Sequence, residues 1–217
     1  TPTKDIIGIS LNKPLAPGEA NKITFTYTVK LPPSKYTSYG FDPQGGYFLK
    51  DWYLTPAVYL ESNWLLYANK DLQDLYTDIV NTTIKLRYPK ELELNSNYKE
   101  VLENTIGKNR WATLTGSGKK SAEFYLNNTN DFVRYKLKNT LLVTDIRESS
   151  MDKGLERALI EKVFNFIRSK IGDIPLEQLL VTKMNYDRNP LYGLNKLPDF
   201  INPYDTSFKL ELSLLKT

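Results

Sequence analysis

The clearest periodicity in the chain lies between two turn signals. After Ala16-Pro17-Gly18-Glu19, residues Ile23, Phe25, Tyr27, Val29 and Leu31 alternate with Thr24, Thr26, Thr28 and Lys30, and the run stops at Pro32-Pro33. Apolar positions at period two predict a strand with one buried face and one wet, threonine-lined face. The alternation recurs at Thr82, Ile84, Leu86 and Tyr88, ended by Pro89. Leu92 and Leu94 precede a polar turn at Asn95-Ser96-Asn97. Trp111, Thr113 and Thr115 run up to Gly116-Ser117-Gly118, which reads as a hairpin-type break before Ala122, Phe124 and Leu126. Val133, Tyr135 and Leu137, then Leu141-Leu142-Val143, complete the series. Short strands separated by turns, with no long helix among them, predict a mainly β fold: an antiparallel β-sandwich over residues 1–149.

The period changes after Ser149-Ser150. Leu155, Leu159, Val163 and Ile167 recur at spacing four, with Ile160 and Phe164 beside them and Glu156, Arg157, Glu161 and Lys162 on the polar side. This predicts an amphipathic helix over roughly 153–170 with those four residues on its inward stripe. Ser150 or Asp152 is placed to cap it, and Gly172 and Pro175 bound its end. The strand Leu179-Leu180-Val181 follows. The β-α-β order predicts a second, small and incomplete α/β unit over 150–217. Its last stretch, Phe208 to Leu215, fits either a strand or the start of a helix.

Composition narrows the chemistry. The chain has 217 residues, 41% hydrophobic and 25% charged, which fits a folded protein. Its 29 Lys and Arg against 25 Asp and Glu leave a formal charge of +4, too mild and too dispersed to predict a nucleic-acid partner. Cysteine and histidine are both absent. That excludes disulfides, thiolate sites, imidazole bases, Ser-His-Asp triads and HExxH zinc sites. No apolar run is long enough for a membrane helix. The chain begins at Thr1 rather than Met, which suggests a processed or excised piece. The carboxylates are scattered, and no calcium-loop frame surrounds Asp5, Asp42 or Asp51. Glu148 and Asp152 suit capping and dipole interactions at the helix start.

Two segments are candidates for recognition. Residues 34–69 crowd Trp52, Tyr53, Tyr59, Trp64 and Tyr67 among glycines and prolines. They either line a ligand groove or pack over the open end of the sheet core. The loop Asn189–Pro198 offers Tyr192, with an aromatic face and a hydroxyl, Gly193, which admits close backbone approach, and Asn195, which donates and accepts. These groups suit gripping an extended peptide and cannot move protons at neutral pH, so the role expected is substrate positioning and no catalytic residue is assigned.

Four stretches resemble M1-type (gluzincin) aminopeptidases of the Bacteroidetes kind. They are Pro17-Gly18-Glu19 leading into Ile23–Leu31, Asp51-Trp52-Tyr53-Leu54-Thr55-Pro56-Ala57-Val58-Tyr59, Asn139 to Ile146, and the segment from Pro175 through Pro198. The resemblance implies part of an N-terminal β-sandwich over 1–149 and the start of a thermolysin-like domain over 150–217. It implies a non-catalytic fragment that shapes a peptide-binding cleft, with peptide or protein and the remainder of a parent chain as partners. It also implies zinc in the parent, none in this fragment, and an extracytoplasmic setting. The family's exopeptidase loop aligns near Tyr192-Gly193-Leu194-Asn195-Lys196, where its amine-binding glutamate is missing. The residues themselves also support another expectation: a non-enzymatic binding or scaffold module that contacts protein or glycan through the aromatic-rich segment 52–67.

Overall fold

The longest alternating runs make the longest strands. The computed structural model describes residues 6–37, 39–50, 52–66, 77–129, 131–146, 152–173 and 176–183. Along them lie α1 (Ser34–Thr37), β1 (Gly40–Phe41), β2 (Tyr47–Lys50), β3 (Val58–Leu60), β4 (Asn63–Leu65), β5 (Val80–Pro89) and β6 (Glu93–Ser96). These are followed by β7 (Lys99–Ile106), β8 (Asn109–Lys119), β9 (Glu123–Asn127), β10 (Val133–Leu137), β11 (Thr140–Thr144), α2 (Lys153–Ile171) and β12 (Gln178–Val181).

Two antiparallel sheets face each other. One runs β5-β8-β7 and the other β1-β2-β9-β6. Alternation sends Ile84, Leu86 and Tyr88 of β5 and Ala112 and Leu114 of β8 inward, where they meet Leu49, Leu94, Phe124 and Leu126 of the opposite sheet. This is the expected sandwich, and its facing apolar sets are what hold it. Its glycine signal reads differently in space. Gly116-Ser117-Gly118 is the tail of β8, and β8 and β9 lie in different sheets. The chain therefore turns a corner between layers after Lys119 instead of forming a hairpin. Gly116 is needed because a Cβ there would fall 2.6 Å from the Tyr98 ring, which fills that part of the core.

The sandwich is covered on one side. β10 and β11 pair antiparallel, and β12 joins β11 in parallel across α2. Leu137, Leu142 and Val181 on one face of this sheet pack with Ile160, Val163 and Phe164 of α2. Val143 and Leu180 on the other face, with Phe132, pack with Tyr125 of β9. The central strand β9 is thus packed on both faces, and β10 and β11, which precede residue 149, belong to the same sheet as β12. Polar contacts among the described residues join the layers: Arg134 to Asn95 Oδ1 at 2.9 Å, Gln178 Nε2 to Ser96 O at 2.7 Å, and Lys119 Nζ to Gln178 O at 3.0 Å.

Asp152 caps α2, its Oδ1 accepting from the N–H groups of Gly154 and Leu155 at 2.9 and 3.2 Å. The buried stripe is Glu156, Ile160, Val163 and Phe164, while Leu155 is 54% exposed. A strict spacing of four advances about 40° too far per step, so the four expected residues cannot all stay inward. Leu155 falls off one end of that stripe and Phe164 joins the true one.

The Ile23–Leu31 run is not where its alternation suggests. It is extended but belongs to no strand ladder among the described residues. Ile23, Phe25, Tyr27 and Val29 are 50%, 45%, 48% and 45% exposed, and Leu31 alone reaches the core. Period two fixes which side chains share a face. Burial further requires a ladder neighbour and a covering layer, and both are missing here among the described residues. No helix among those residues is long and apolar enough to cross a membrane.

Candidate docking site

The aromatic segment divides into an anchor and a projecting hairpin. Trp52 packs edge-on against Phe124 at 6.0 Å, and the Tyr53 hydroxyl accepts from the Ala122 N–H at 3.1 Å. Both residues are partly buried against the sandwich core. Beyond Pro56 the chain makes the β3–β4 hairpin, closed by Glu61 and Ser62 at φ 50° and 64°. Positive φ at both turn positions matches the right-handed twist of the two strands. Asn63 Nδ2 secures the turn by donating to Glu61 O at 3.0 Å.

Register places Tyr59 directly opposite Trp64, so the two rings share one face with centroids 4.9 Å apart and planes tilted by 59°. They are 58% and 60% exposed. Leu54, Leu60 and Leu66, near them in sequence, are also exposed. The Leu54 N–H donates to the Tyr27 hydroxyl at 3.2 Å, which ties the extended Ile23–Leu31 run to the same region. Of residues 34–69, Trp52 and Tyr53 pack on the core as the covering expectation has it, while Tyr59 and Trp64 stand out from it. Tyr67 lies outside the described residues.

A polar groove of about 540 Å³ lies elsewhere, lined by Asn81, Thr83, Lys99, Thr115, Ser117 and Glu177. A smaller neighbour of about 250 Å³ reaches Lys119, whose ammonium donates to Asn97 O and Gln178 O at 3.0 Å each. Burial lowers the pKa of Lys119, opposed by Glu177 and Glu123. With two carbonyls as acceptors, its charge serves the fold. At the sandwich rim, Tyr88 Oη donates to Glu103 at 3.4 Å and Arg110 pairs with Glu103 at 3.4 Å. Burial, then Glu103, raises the pKa of Glu100. Asp145 is also raised by burial, opposed by the Lys183 N–H that it accepts at 2.6 Å.

Of the residues expected to position substrate, Tyr192, Gly193 and Asn195 lie outside the described residues, as does Glu148. Asp152 is confirmed as a cap. Among the described residues no group of three or more His, Cys, Asp or Glu could hold a metal ion. Sequence reasoning missed the hairpin itself: Glu61-Ser62 carries no Asn-Gly or Asp-Gly signal. It named Trp111 in a strand but not its outward position: the ring is exposed on the outer face of the β5-β8-β7 sheet under the Arg87 guanidinium at 5.5 Å. Alternation of β8 was the available signal, since Trp111 is out of phase with Ala112 and Leu114. The chain matches no protein-family model, and a search of curated proteins gives no match.

Proposed function

We propose that this chain is a non-enzymatic β-sandwich binding module that docks a partner protein through the β3–β4 hairpin. The observation that carries the reading is the Tyr59–Trp64 pair, more than half exposed on a hairpin held to the core by Trp52 and Tyr53. Leaving two large, mutually packed aromatics in water is unfavourable, and such a pair favours burial against another surface. Trp and Tyr are the side chains that most often dominate protein interfaces. A protein partner fits better than a glycan. The tilted rings offer no flat platform for a sugar to stack on.

The test starts from a displayed peptide library selected against the chain, with Trp64→Ala and Trp111→Ala compared. Trp64→Ala is expected to weaken the selected binders by roughly thirtyfold, as a hot-spot loss of about 2 kcal/mol does. Its unfolding midpoint should stay close to that of the parent, and Trp111→Ala should bind normally. Binding that survives Trp64→Ala, or a midpoint lowered as for a core residue, overturns the reading.

A further inference from the structure

Strand register gathers cations that the sequence spreads out. On the face of the β5-β8-β7 sheet turned away from the core, side chains fall into rows across the strands. Thr83, Thr115 and Lys99 form one row, Lys85 and Thr113 lie in the next, and Arg87, Trp111 and Asn104 form the third. Three cations, three hydroxyls, an indole and an amide thus share one face, and none of these positions is acidic. Lys85, Arg87, Lys99, Asn104 and Trp111 are exposed.

The two ends of this face differ. At one end the row of Thr83, Thr115 and Lys99 lies in the wall of the polar groove, with Glu100 and Glu177 beside it. Gly116 is in the same wall, and the Tyr98 ring fills the space on its inner side, so the groove belongs to the outer face. Both ladders shift register here, between Val80 and Thr82 and between Glu100 and Leu102, and the extra residues Asn81 and Val101 line the groove. Bulges re-aim side chains and recur beside functional sites. At the other end the Arg87 guanidinium lies over the Trp111 ring at 5.5 Å. A guanidinium stacked on an aromatic ring is held in orientation, and its planar fork of N–H donors matches a carboxylate. Trp111 and Thr115 are four residues apart on β8, about 13 Å along the strand, so a ligand that touches both ends is extended.

These groups define the ligand. The cations call for negative charge. The threonines, the Asn81 amide and the groove carboxylates call for hydroxyl groups, and Trp111 for an apolar ring face. An acidic polysaccharide carries all three. A nucleic-acid strand has a phosphate at every unit, and some of these would meet Glu100 and Glu177. We propose that the outer face of the β5-β8-β7 sheet binds a carboxylate-bearing polysaccharide. Arg87 and Lys85 hold its carboxylates, Trp111 packs on a sugar ring, and the groove takes sugar hydroxyls. This site is separate from the protein-docking hairpin and does not depend on it.

The probe is a galacturonate oligomer titrated into the full chain by calorimetry. Its methyl ester keeps the hydroxyls on the ring and loses the charge. Poly-glutamate keeps the charge and lacks the sugar, and oligo-dT stands for the nucleic-acid alternative. The galacturonate oligomer is expected to bind, with the ester roughly tenfold weaker. Arg87→Gln and Trp111→Ala should each weaken it by roughly tenfold, and Lys85→Ala should flatten its salt dependence. Thr115→Val should weaken the acid and the ester alike. These side chains face solvent, so an unchanged unfolding midpoint shows that the variants fold, and Trp111→Phe should bind even if Trp111→Ala loosens the sheet. Trp64→Ala should bind the oligomer normally. No binding of galacturonate, equal binding of the ester or of poly-glutamate, tighter binding of oligo-dT, or full binding by both Arg87→Gln and Trp111→Ala overturns the inference, and each leaves the hairpin reading in place.

Discussion

Tyr98 and Gly116 act as one unit, because the ring occupies the space that a side chain at 116 would need. Gly116→Ala is expected to lower stability by about 1–3 kcal/mol through overpacking, measured by urea unfolding. Tyr98 Oη is buried with no partner among the described residues. Tyr98→Phe should therefore be neutral or stabilising by about 1 kcal/mol, since it removes a desolvated hydroxyl and keeps the ring. Tyr88 gives a pH signature. Burial, then the negative charges of Glu103 and Glu100, raises its pKa from 10.0 to about 12. The native state thus holds the phenol proton more tightly than the unfolded chain does. Stability from this group is complete below about pH 10 and is lost as pH rises towards 12. Unfolding measured against pH should show that alkaline decline, and Tyr88→Phe should flatten it. At this scale the inward face of β5 was legible because alternation is a local property, whereas in β8 the reading followed Trp111, Thr113 and Thr115, and the buried set is Ala112 and Leu114. Tyr98 was not legible, because its partner is a glycine on another strand.

Elements were legible to the extent that their own sequence determines them. The capped helix and the β5 and β10 strands follow from spacing alone. The inward stripe of α2 was one residue out of phase at Leu155 because a helix turns 3.6 residues, not four. Asp152→Ala should cost about 1 kcal/mol in urea unfolding, with the acceptor for Gly154 and Leu155 gone. The β3–β4 hairpin was illegible because Glu61 and Ser62 take positive φ without the residues that favour it. Glu61→Asn with Ser62→Gly should therefore stiffen the hairpin. Amide exchange within residues 58–65 should slow, while the unfolding midpoint of the sandwich stays unchanged.

The layer order of the whole molecule was the least readable level. Tyr125 lies between Phe124 and Leu126, so β9 is apolar on both faces, as a strand covered twice must be. A short apolar run does not say which layer covers which face. Nor does alternation say whether a strand finds a neighbour, as Ile23–Leu31 shows. Among the polar contacts that join the layers, Arg134 to Asn95 and Lys119 to Gln178 O each carry a charge. Arg134→Ala is expected to cost about 1–2 kcal/mol. Coincident fluorescence and circular-dichroism transitions would show that the layers still unfold together, and separated transitions that this contact couples them.

The place of β9 also sets an order of events as the chain leaves the ribosome. β9 lies between β2 and β6 and bonds to both, yet both are synthesised before it. Until residue 127 has emerged, Leu49 and Leu94 have no strand between them and the sandwich core cannot close. The earlier apolar segments therefore wait in water for a late central strand, which makes folding slow and leaves the nascent chain dependent on whatever shields it in the interval.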